Sequence, residues 1–98
     1  MTAETGSQLK ILKKSKDLGK LGKGDKISIN GKEMKVDSQY VFVDHDNMQE
    51  MIIEFFNVDN EREYQLRYFN DQIDSSIEIY ELQGDFQYVR REPKTIEW

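Results

Sequence analysis

The chain has 98 residues, of which 37% are hydrophobic and 34% charged; it contains no cysteine and carries a net charge of −5. A disulfide framework and a thiolate metal site are therefore excluded. No apolar run approaches the roughly 20 residues that a membrane-spanning helix needs.

The charge is unevenly distributed. Residues 1–36 hold nine lysines against four carboxylates, giving +5, whereas residues 37–98 hold five lysines or arginines against fifteen carboxylates, giving −10. The pattern is a basic N-terminal arm on an acidic body. The opening MTAETGSQLK lacks the apolar core of a secretory signal. With the absence of cysteine, this points to the cytoplasm.

In chain order, the first seven residues are small and polar, a composition expected to be disordered. Leu9, Ile11, Leu12 and Leu18 share one stripe at helical spacing, which predicts a short helix within 8–18. Gly19, Gly22 and Gly24 end it, and GKLGKGDK reads as a flexible linker. It lacks the spacing of a phosphate-binding loop. Residues 1–23 are therefore expected to form a flexible basic arm, 24–92 an antiparallel β domain, and 93–98 a C-terminal tail.

ISINGKEMKV (27–36) encodes a hairpin. Asn-Gly is the preferred centre of a type I′ turn, because both residues need positive φ. A turn at Asn30-Gly31 pairs Ile27 with Met34 and Ser28 with Glu33. One face is then apolar (Ile27, Ile29, Met34, Val36) and the other polar. YVFVD (40–44) is β-branched and aromatic, a further strand. NMQEMIIEFF admits two readings. Asn47 and Glu50 form a capping-box pattern ahead of helically spaced apolar residues. A turn at Asp59-Asn60 instead pairs Phe55 with Tyr64, Ile53 with Leu66 and Met51 with Tyr68, three favoured cross-strand partners on one face. The hairpin is preferred, since a helix leaves Ile53 and Phe56 off its stripe.

SSIEIYEL and FQYVRR predict a last hairpin through Gln83-Gly84-Asp85. It pairs Leu82 with Phe86, Tyr80 with Tyr88, Glu78 with Arg90 and Ile79 with Val89. Apolar pairs then occur on both faces, so either the hairpin is covered on both sides within the domain or one face meets another subunit. Pro93 ends the strand. The expected fold is mainly β: a meander, barrel or sandwich of about seven strands, or α+β if 48–57 is helical.

His45, the only histidine, lies between Asp44 and Asp46. In an extended chain its side chain points away from theirs, and the segment does not fit a calcium loop, so a solvated turn is expected rather than a metal site. Without cysteine, and with one histidine, no nucleophilic constellation stands out; no cofactor is implied. The first expectation is a non-enzymatic, self-associating protein-interaction module using Tyr80 and Tyr88. A nucleic-acid-binding reading uses Lys10, Lys13, Lys14 and Lys16 with Arg62, Arg67, Arg90 and Arg91, basic residues interleaved with tyrosines. Its weakness is the acidic body, which repels phosphate. A third reading places a small ligand inside a β-barrel.

Overall fold

The structure, a computed structural model, describes residues 9–98. The disorder expected over 1–7 lies outside the described residues. The chain is mainly β: eight strands form one curled mixed sheet, a half-barrel, in the order β1-β8-β2-β3-β4-β5-β6-β7. The strands are β1 (Lys10–Lys13), β2 (Lys26–Ile29), β3 (Lys32–Asp44), β4 (Gln49–Asn57), β5 (Glu63–Phe69), β6 (Glu78–Gln83), β7 (Gln87–Arg91) and β8 (Thr95–Glu97). A single helical turn, α1 (Ile73–Ser76), joins β5 to β6. From β2 to β7 the sheet is an antiparallel meander, each strand pairing with the next in sequence.

The first hairpin has the expected register, Ile27 opposite Met34 and Ser28 opposite Glu33. Asn30 and Gly31 both have positive φ, 52° and 80°, as a type I′ turn requires. Residues 48–57 are extended rather than helical. In β4–β5, Met51 faces Tyr68, Ile53 faces Leu66 and Phe55 faces Tyr64. The connection is wider than a two-residue turn. The Asn57 N–H donates to the Arg62 carbonyl at 2.9 Å, and Glu61 takes a φ of 61°.

Four expectations are corrected. Residues 10–13 form a strand, not a helix, because β8 offers them a parallel partner. The stripe of Leu9 and Ile11 packs on the core through that strand. The GKLGKGDK segment is anchored rather than loose. Leu18 and Leu21 are buried, and Gln39 Nε2 donates to both of their carbonyls, at 3.2 and 2.7 Å. Residues 93–98 are not a tail: β8 inserts between β1 and β2. Finally, the β6–β7 register is shifted by two, so Leu82 faces Tyr88 and Tyr80 faces Arg90. The loop is Gly84 to Phe86, with Phe86 in the left-handed region at φ 61° and almost fully exposed. A two-residue shift keeps every side chain on its face.

Strand β3 merges two expected strands into one of 13 residues. Register shifts mark bulges at Asp37 and Phe42. Each bulge inserts one unpaired residue and re-aims the side chains beyond it. Val36 therefore faces the core opposite Phe55, whereas Tyr40, an even number of residues on, lies opposite Ile52 on the other face.

One face of the sheet holds the core. Ile27, Ile53, Phe55, Leu66 and Ile96 are at most 1% exposed. Full burial of such side chains gives about 1.5–3 kcal/mol each before chain entropy is counted. Trp98 closes one end of this core, its indole N–H donating to the Lys16 carbonyl at 2.8 Å. The inside of the half-barrel is thus filled with side chains, and the recesses among the described residues open to the surface.

Candidate functional site: an arginine–aromatic face

The opposite face of the sheet is built from two adjacent rows. Strand register places Tyr40, Ile52, Arg67 and Glu78 side by side across β3 to β6. The next row is Ser38, Glu54, Gln65, Tyr80 and Arg90 across β3 to β7. Diagonal neighbours on one face lie within reach of long side chains. Accordingly Arg67 reaches Tyr80, its Cζ 4.1 Å from the ring centroid. Phe42, freed by its bulge, lies 5.5 Å from the same Cζ, and Tyr88 lies 6.0 Å away. Three rings thus surround one guanidinium, an arrangement that flat, weakly hydrated Arg favours and Lys does not reproduce.

The guanidinium is held from one side. Its Nε and Nη2 both donate to Gln65 Oε1, at 3.1 and 2.9 Å. Unlike Arg62, Arg90 and Arg91, it makes no ion pair among the described residues. Gln65 in turn donates to Glu54 Oε2 at 3.3 Å. That carboxylate also accepts from the Tyr40 hydroxyl at 3.0 Å and the Ser38 hydroxyl at 3.3 Å. Partial burial, followed by the bond to Glu54, pushes the Tyr40 hydroxyl up to about 12. Tyr40 therefore remains a neutral donor to Glu54 at physiological pH. Burial raises Tyr80 and Tyr88 as well, with Glu78 adding to the first and Glu54 and Glu63 to the second.

The apolar part of this face is exposed. Tyr40, Phe42 and Val43 are 36–51% exposed on it, whereas Val41, opposite Met51, projects from the other face of the sheet. A single exposed apolar residue carries no information, whereas a contiguous strip beside an aromatic–arginine cluster has the composition of a protein interface.

The structure distributes the sequence-derived candidates over three places. Arg67, Tyr80, Tyr88 and Arg90 share the outer face, where Arg90 pairs with Glu78 at 3.2 Å. Arg62 and Arg91 instead hold Glu81 from the core side, at 2.6 and 2.9 Å. Lys10 and Lys13 lie on β1 at the far edge of the sheet. Lys14 pairs with Asp74 and Lys16 with Asp25. Tyr64 and Tyr68 belong to the core face, Tyr64 stacked on Phe55 with centroids 5.5 Å apart. The basic residues therefore do not form one stripe. His45 donates to or accepts from Glu50 at 2.6 Å in an exposed turn.

Sequence reasoning missed Tyr40, Phe42 and Glu54. The one signal for Tyr40 and Phe42 was the apolar run YVFV, too uniform for a strand with one solvated face; no pattern singled out Glu54. Compared with family models, curated proteins and solved structures, the chain matches none. No helix among the described residues is long and apolar enough to cross a membrane.

Proposed function

We propose that the protein is a non-enzymatic, cytoplasmic interaction module that self-associates through the outer face of β3 to β7. The observation that carries this reading is the exposed set Tyr40, Phe42 and Val43 beside the Arg67–Tyr80 stack. Tyr and Arg dominate interface energetics when they are pre-ordered, and here Gln65 and three rings order Arg67 before any partner arrives. The face also carries both signs of charge, with Arg67 and Arg90 among Glu50, Glu54 and Glu78. A two-fold copy can set arginine against glutamate across such a face, so the patch is complementary to itself. The same carboxylates oppose a nucleic-acid backbone, which makes that reading the weaker one.

Sedimentation velocity over a range of concentrations tests the proposal. Self-association is expected in the natural chain and lost in Phe42→Glu and in Tyr80→Lys, both variants remaining folded. A monomer at all accessible concentrations, or variants that associate as well as the parent, would sink it.

A further inference from the structure

Beside the arginine–aromatic face, the same side of the sheet carries a groove of about 340 Å³. Its lining includes Asp37, Glu54, Phe56, Glu61, Glu63 and Tyr88. Register explains the grouping: Phe56 lies opposite Glu63 on β5, Asp37 is the unpaired residue of the first β3 bulge, and Glu61 belongs to the β4–β5 loop. Four carboxylates line it at separate points, and none of them takes part in an ion pair among the described residues. The carboxylates of Asp25, Asp74, Glu33, Glu78 and Glu81, by contrast, have lysine or arginine partners. Glu54 is half-buried and satisfied only by neutral donors.

We infer that this groove docks a basic segment of a partner protein, with a lysine or arginine side chain lying between Glu54 and Glu63 and against the ring of Tyr88. Three features select this occupant. The charge is complementary locally, and the body of the chain from residue 37 onward is −10, so a basic segment is also steered toward it. The groove has aromatic walls in Phe56 and Tyr88, and ring faces attract organic cations. The carboxylates are spread around the groove rather than clustered. Among the described residues no group of three carboxylate or imidazole side chains stands close enough to hold a metal ion, so the site fits an extended organic cation better than a compact divalent one. This inference goes beyond self-association. The two readings share Glu54 and Tyr88 but are told apart by Phe42→Glu, which changes no residue lining the groove and should abolish self-association while leaving peptide binding intact.

The test is an amide-resolved NMR titration of the full chain with three short peptides of equal length, rich in arginine, lysine or glutamate, at low and moderate salt. The arginine and lysine peptides are expected to shift residues 54–56, 61–64 and 88, with affinity falling as salt rises. The glutamate peptide should shift none of them. Glu61→Gln with Glu63→Gln, both on exposed positions, should weaken binding about tenfold, the loss of roughly 1.4 kcal/mol of attraction. Tyr88→Phe should retain affinity and Tyr88→Leu should lower it, since only the second removes the ring. Glu33→Gln, on the far hairpin, is the control and should bind like the parent. The proposal is overturned if no peptide binds, if the shifts map elsewhere, or if the double variant binds equally well. It is also overturned if calcium ions alone shift the same residues with higher affinity.

Discussion

The guanidinium of Arg67 lies over the ring of Tyr80, Cζ to centroid 4.1 Å, although the two residues are not directly paired. Arg67 sits opposite Glu78, and its side chain leans one row along the sheet to reach the ring. Its two bonds to Gln65 Oε1 fix that lean. Both residues sit at intermediate depth on the sheet face, where a cation–π contact is worth about 0.5–1 kcal/mol.

A double-mutant cycle isolates this contact. Arg67→Ala, Tyr80→Leu and the double variant, unfolded in urea, should give a coupling of about 0.5–1 kcal/mol. Arg67→Lys should recover less than half of it, because an ammonium cannot lie flat on the ring. A coupling of zero would show that the stack is a by-product of the Gln65 bonds.

Asn30 carries two tasks at once. Its backbone supplies the positive φ of the first turn, and its Oδ1 accepts from the amides of Lys94 and Thr95, at 2.8 and 3.1 Å. Asn30→Gly keeps the turn geometry accessible but removes both side-chain bonds. It should destabilise the chain by about 1–2 kcal/mol, with faster hydrogen exchange at Lys94 and Thr95 and unchanged exchange across β2–β3. Asn30→Asp should retain the protection. Uniform loss of protection across both hairpin and β8 would mean that the turn, not the side chain, was the point of failure.

The parts of the fold legible in the sequence are those set by neighbours in the chain. The β4–β5 register follows from three apolar cross-strand pairs, and the Asn30-Gly31 turn from the φ that only a few residues tolerate. Distant pairing is not legible. Nothing in Lys10–Lys13 announces that its partner lies at Thr95–Glu97, so a helical stripe and a tail are the natural expectations. The β6–β7 loop is easily misplaced because Gly84 can sit anywhere in a short turn, and an aromatic in the left-handed region, as at Phe86, is not a pattern to expect. The outer face escapes notice for a related reason. Its contact between Phe42 and Arg67 depends on the Phe42 bulge, an insertion visible only once β3 is paired with β4.

Glu81 ties pH to stability. Only 8% of its side chain is exposed, and Arg62 and Arg91 bond it at 2.6 and 2.9 Å. Burial pushes its carboxyl up, but the bonds and charges of the two arginines outweigh that and hold it below its ordinary 4.5. A depressed carboxyl stabilises the fold above its unfolded-state value and loses that contribution as pH falls through its folded-state value. Both arginines are substantially exposed and are rehydrated when the pair is broken, so Glu81→Gln should cost only about 1–2 kcal/mol at pH 7. The gap between parent and variant should narrow below about pH 4.5. A gap that does not narrow as the pH falls further into the acid range would assign the effect to packing rather than charge.

Strand β8 is short, yet the sheet depends on it. Among the described residues it is the only strand that pairs with β1, and it joins β1 to the rest of the sheet by pairing with β2 on its other side. Ile96 is fully buried. Trp98 is fastened at three points: its amide donates to the Lys13 carbonyl, its carbonyl accepts from the Ser15 amide, and its indole donates to the Lys16 carbonyl. Trp98→Ala removes a buried ring and one of these bonds, at a cost of about 3–5 kcal/mol. A domain this size has only about 5–15 kcal/mol in total, so the thermal midpoint should fall by more than ten degrees at roughly 4–8 °C per kcal/mol. Ending the chain at Pro93 goes further. It strips β1 of its partner and exposes the edge of β2, so amides 10–13 should lose all protection and the core over Ile27 and Ile29 should open. A chain truncated there with parental melting behaviour and protected amides at 10–13 would show that β1 is held by something other than β8.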